Sequence, residues 1–114
     1  MNSVILSAVI INNDYNSNIE DIVSKLELDH FDNVNLYIVS PFDLKRKRIA
    51  KTNNLHILKH SFDGVFEGFS LALENIKETK PNTTHVLYID EYTRFTKNPL
   101  NVLIPAIEIS NERN

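Results

Sequence analysis

The sequence predicts an α/β fold, a mostly parallel sheet of about four strands with flanking helices, and three observations carry that prediction. Four short apolar runs, rich in β-branched and aromatic residues, occur at residues 4–11, 34–39, 55–60 and 84–92. Segments with apolar residues at helical spacing separate them. Strands that alternate with helices imply βαβ units, and these build parallel sheets through right-handed crossovers.

The first run, Val4-Ile5-Leu6-Ser7-Ala8-Val9-Ile10-Ile11, is nearly continuous in apolar residues, as a strand covered on both faces requires, so it belongs at the centre of the sheet. Asn12 to Asn16 break it with residues that bond their own backbone and favour turns. Ser17 and Glu20 have capping-box spacing before a helix striped by Ile19, Ile22, Val23 and Leu26. A polar connection pinned by Phe31 leads to the second strand, which Pro41 ends. Asp43 is expected to cap a short, largely solvated helix through about Thr52. The third run has polar residues interspersed, as on a sheet edge.

Val65, Phe66, Phe69, Leu73 and Ile76 give the best amphipathic helix, running from Gly64 towards Pro81. Gly68 inside it calls for the close approach of another backbone or a ligand, because an interior glycine costs about 1 kcal/mol relative to alanine. The fourth run, Thr84-His85-Val86-Leu87-Tyr88-Ile89-Asp90-Glu91-Tyr92, reads as a buried strand ending in two carboxylates. Asn98-Pro99 then looks like a cap with proline at the first helical position. Leu100, Leu103, Ile104 and Ile107 form an apolar side, Pro105 predicts a kinked or short helix, and residues 110–114 a frayed tail.

At 114 residues the chain is long enough for one domain with a real core, so residues 1–114 are expected to form a single domain. A hydrophobic share of 42% and a charged share of 24% are those of globular proteins and argue against disorder. The net charge of -3 gives no general attraction to nucleic acid or to an anionic membrane. Lys45-Arg46-Lys47-Arg48 reads as a solvated basic face. The lack of cysteine removes disulfides, thiolate metal sites and Cys nucleophiles together. No signal-peptide pattern occurs, and no run approaches the ~18 apolar residues of a membrane span, so a cytoplasmic location is expected.

Ligands of open α/β sheets bind outside the carboxyl ends of the strands. Here that rim gathers residues 12–16, 40–43, 61–64 and 90–92. Asp90 and Glu91 are either the polar end of a strand emerging into solvent or acids placed to meet a metal or a substrate hydroxyl. His56 and His60 fall on one face of a short strand, but without a ligand spacing they read as edge histidines, as His30 and His85 do as surface ones. Ser7, Ser40 and Ser61 lack a nucleophile elbow, and no phosphate-cradling glycine loop with lysine is present.

Four stretches, in this order, carry a family resemblance: Val9-Ile10-Ile11-Asn12-Asn13-Asp14-Tyr15-Asn16, Leu36-Tyr37-Ile38-Val39, Asp63-Gly64-Val65-Phe66-Glu67-Gly68-Phe69, and the run from Thr84 to Tyr92. Over roughly residues 4–100 the chain resembles the N-terminal, nucleotide-sugar-binding half of inverting glycosyltransferases of family 2, GT-A type, especially galactofuranosyl- and rhamnosyltransferase-like members. The resemblance implies a Rossmann-like half of a GT-A fold. It implies a nucleotide-diphosphate sugar, UDP-linked among the candidates, contacting Asn13, Asp14, Ser40, Asp63, Gly64 and Asp90. It also implies a divalent cation, Mg²⁺ or Mn²⁺, held by Asp90 and Glu91 and bridging the diphosphate.

Three positions depart from the family pattern. Tyr92 stands at the last acidic metal position, Ser40 at the base-contacting acid, and Glu67 at a common basic position. The family's catalytic base and acceptor surface lie in a C-terminal half that these 114 residues do not include, so no catalytic residue is assigned. Two readings follow: a donor-binding domain that serves sugar transfer in a full protein, or a catalytically degenerate domain that acts as an assembly or interaction module. The second predicts an exposed apolar surface around Leu100, Leu103, Ile104 and Ile107, and a homodimer.

Overall fold

The structure is a computed structural model that describes residues 4–113. Strands β1 (Leu6–Ile11), β2 (Val34–Ser40), β3 (Leu55–Lys59) and β4 (His85–Ile89) form a four-stranded sheet of order β3-β2-β1-β4. Every neighbouring pair is parallel, with Leu6 opposite both Val34 and His85, and Leu36 opposite Leu55. Helices α1 (Ile19–Leu26), α2 (Gly64–Thr79) and α3 (Leu100–Arg113) flank the sheet. The fold is α/β with the strand order of a Rossmann-like half sheet.

The two central strands are buried along their whole length, β1 as expected from its unbroken apolar run. Their side chains alternate between two cores. Leu6, Ala8 and Ile10 pack with Ile22, Leu26, Leu100 and Ile104, which places α1 and α3 on one face. Val9, Ile11, Tyr37 and Val39 pack with Ala72 and Ile76 of α2 on the other.

β4 departs from the buried strand that its composition predicts. The strand order puts it at an edge, and α2 lies over β1 and β2, so Val86 and Tyr88 remain 42% and 44% exposed. The expected helix over residues 43–52 is also absent. Four consecutive cations supply no apolar stripe to bury, and the chain is pinned instead by single contacts. Leu44 enters the core, Lys47 lies 3.5 Å from Glu20, and the Arg48 amide donates to Glu20 Oε2 at 3.0 Å. With no helix over β3, a cavity of about 400 Å³ opens there, lined in part by Phe42, Leu44, Ile49, Leu55 and Ile57.

α1 begins at Ile19 behind Asn18, without a side-chain cap. The capping box is not formed, because Ser17 Oγ faces the buried Asn12 amide and Glu20 faces Arg48. At the start of α3 the sequence is followed: Asn98 Oδ1 accepts from the Leu100 amide at 3.0 Å. The helix nonetheless continues through Pro105 to Arg113. Proline inside a helix costs about 3 kcal/mol, whereas burying Leu100 and Ile104 returns roughly 1.5–3 kcal/mol each, so packing on the sheet outweighs the lost hydrogen bond. That packing buries Leu100 and Ile104 of the apolar surface expected on α3 and leaves Leu103 and Ile107 half-buried, while Val102 and Ile109 are exposed.

Candidate functional site

β2 and β3 follow β1 on one side of the sheet, and the crossover through α2 returns past both to set β4 on the other. The strand order therefore reverses at β1. In a doubly wound sheet this switch point is where a ligand crevice opens, between the carboxyl ends of the diverging strands. Here it lies between the turn after Ile11 and the turn after Ile89.

Asn12 is the hub of that rim. It is fully buried, and its amide nitrogen donates to the Asp14 carbonyl at 2.9 Å, to Ser17 Oγ at 2.6 Å and to Glu91 Oε1 at 3.2 Å. Its side-chain oxygen accepts from Ser40 Oγ at 2.8 Å, and Ser40 Oγ accepts from the Phe42 amide at 3.1 Å. A buried amide with every group partnered fixes the ends of β1 and β2 relative to one another, because leaving one unpartnered costs about 1–3 kcal/mol.

Glu91 reaches across from β4. Its Oε1 accepts from the Asn13 and Asp14 amides, both at 3.0 Å, so a carboxylate fills the backbone donors of the first turn. Burial raises the Glu91 pKa most. The two amides oppose that shift, and the negative charges of Asp14 and Asp90 add to it. The Glu91 carbonyl also accepts from the Asn18 amide at 2.9 Å, and Asn18 Nδ2 donates to the Thr93 carbonyl at 2.7 Å, joining the start of α1 to the β4 turn.

Tyr92 closes the arrangement. Its hydroxyl donates to Asp14 Oδ2 at 2.6 Å, which lowers the Asp14 pKa and pushes the phenol up to about 12. The Tyr92 amide donates to Asp90 Oδ1 at 2.8 Å. Among the described residues no hydrogen bond engages Asp90 Oδ2, so Asp90 is the exposed acid of the rim with an oxygen to offer.

No protein-family model, curated protein or solved structure matches the chain.

What the rim can do follows from its own donors and acceptors. Asn13, Asp14, Asp90 and Glu91 are brought together, and Ser40 joins them through Asn12. Asp63 and Gly64 stand at the start of α2 and share no hydrogen bond with that network among the described residues. Gly64 has a left-handed φ of 84°. Gly68 is required by a side chain: a Cβ there would lie 2.9 Å from Ile11 Cγ2.

Among the described residues no group of three or more His, Cys, Asp and Glu could hold a metal ion on its own. His56 and His60 do not pair. His56 stacks on Tyr37 at 4.5 Å, while His60 lies past the end of β3 with Nδ1 against the Ser61 carbonyl. A cation at Asp90 would suit a diphosphate that brings most of the oxygen ligands itself, as Mg²⁺ with one or two carboxylates does.

Sequence reasoning missed Asn12, Ser17 and Asn18 as the residues that tie the rim together. The available signal was an asparagine directly abutting a nearly continuous apolar strand, a position where burial demands partners. Their partners lie up to 79 residues away, beyond the reach of local pattern.

Proposed function

We propose that the chain is a glycosyltransferase family 2-like domain that binds a nucleotide-diphosphate sugar at the switch point between β1 and β4. The observation that carries this reading is the convergence of Asp14, Asp90 and Glu91 at the one place where the strand order reverses. Asp90 would hold a divalent cation, while Glu91 holds the first turn in shape through the Asn13 and Asp14 amides. Ser40, tied to Asn12, borders the place of the base. Such a cation, when bound, would supply positive charge against the diphosphate leaving group. Transfer of the sugar to a glycan acceptor would need groups that no residue of the sequence supplies by match to the family.

The test is calorimetric titration of the folded domain with UDP, in Mn²⁺ and then in chelator. Binding that requires the metal and falls at least tenfold in Asp90→Ala is expected. A folded sample that does not bind millimolar UDP overturns the reading.

A second reading has its own observation. The Glu91 carboxylate takes the amides that an anionic ligand would use, and Tyr92 takes Asp14. In this reading the rim is satisfied internally and the domain serves as an assembly module. The same titration separates the two.

A further inference from the structure

Among the described residues no strand pairs with the outer edge of β4. Edge strands are ordinarily blunted by charge, proline or a bulge. β3, at the opposite edge, carries Lys59, whereas β4 has no Lys, Arg, Asp, Glu or Pro from His85 to Ile89. The His85 amide donates to the Ile5 carbonyl at 3.2 Å, in register with Leu6 opposite His85. That register turns the backbone groups of His85, Leu87 and Ile89 towards β1, and those of Val86 and Tyr88 outwards. The outward window is closed at both ends, since the Thr84 amide also donates to Ile5 and the Asp90 carbonyl accepts from Thr93. Three residues remain, centred on Leu87.

We propose that a second copy of this chain pairs with that window antiparallel, about a two-fold axis at Leu87, joining the two four-stranded sheets into one. The backbone is self-complementary in this register. Val86 exchanges both hydrogen bonds with Tyr88 of the second copy, Tyr88 does the same with its Val86, and the two Leu87 residues meet as a non-hydrogen-bonded pair. Val86 faces an aromatic ring across the join, a favourable cross-strand pair.

The flank of α2 above β4 favours the same arrangement. Phe69 contacts Tyr88 with ring centroids 6.1 Å apart, and Leu73 follows one turn on, 40% exposed. Beyond them at the same helical spacing comes Lys77, towards the amino end of β4, while Asp90 stands at its carboxyl end. The two-fold axis brings Lys77 of one copy towards the Asp90 end of the other, so opposite charges border the apolar centre. It also points the two switch-point rims in opposite directions and leaves both open.

Sedimentation equilibrium of the full chain, with cross-linking of a Leu87→Cys variant, tests this. Wild type is expected to run at the mass of two chains. Val86→Lys and Val86→Pro should run as monomers with unchanged circular dichroism, because residue 86 is half exposed and its amide faces away from β1, a place where an edge strand accepts proline. The chain has no cysteine of its own. Mild oxidation should therefore link Leu87→Cys into a dimer across a Cα separation of about 4.5 Å, a spacing a disulfide can span. Tyr88→Cys, which lies opposite residue 86, should not link. A wild type that stays monomeric into the millimolar range overturns the proposal. So do dimers that survive both Val86 substitutions, or a dimeric Leu87→Cys that does not cross-link.

Discussion

Tyr92 shows how one residue can be visible in the sequence while its role is not. It stands where the family resemblance asks for an acid, but its hydroxyl bonds Asp14, 78 positions away. This bond leaves a mark at each end of the pH scale. Asp14 has a lowered folded pKa, so its contribution to stability is present above its ordinary value of 3.8 and is lost as pH falls through the folded value. Tyr92 has a raised one, so its contribution is complete below the ordinary 10 and is lost as pH rises through about 12. Tyr92→Phe should return the Asp14 carboxyl towards 3.8, read by carbon NMR of the side-chain carboxyls during an acid titration. An unchanged Asp14 curve would mean that the bond is not made in solution. The acids Asp14, Asp90 and Glu91 were identifiable from their place after apolar runs. That Glu91 would serve the turn after β1 was not, because only the pairing of β1 with β4 brings them together.

At the level of elements, the strands and helices with a clear apolar period were readable and those without one were not. β1, β2, α1 and α2 each carry such a period, and each forms close to its expected bounds. The segment after β2 stays irregular although Asp43 resembles a cap, because no apolar face follows it. α3 is longer than the short helix that Pro105 allows, since the local penalty of Pro105 is smaller than the burial gained by the helix around it. Gly68 shows a local rule and a tertiary one in direct conflict. Alanine there would gain about 1 kcal/mol of helix propensity, but its Cβ would meet Ile11 Cγ2 at 2.9 Å. Overpacking of this kind costs roughly 1–3 kcal/mol, so Gly68→Ala is expected to lower stability in a urea melt. A variant more stable than wild type would show that α2 can lift away from β1.

Across the whole molecule, stability should be graded outward from the β1–β2 pair. Both strands are buried on both faces, whereas residues 41–54 join β2 to β3 without regular structure. Native-state hydrogen exchange should find the slowest amides in β1 and β2 and the fastest among the described residues in that crossover. Comparable protection in the two regions would contradict this grading. None of the helices among the described residues is long and apolar enough to cross a membrane.

The sequence by itself determined the fold class, the central place of β1 and the end of each strand where polar residues gather, because these follow from period, composition and turn chemistry along adjacent residues. Only the tertiary structure decided that β4 is an exposed edge, that the strand order reverses beside it, and that Asn12, Glu91 and Tyr92 lock the rim there. Those outcomes depend on which strand pairs with which. That choice is made by burial and hydrogen bonding between segments nearly eighty residues apart, and no local pattern encodes it.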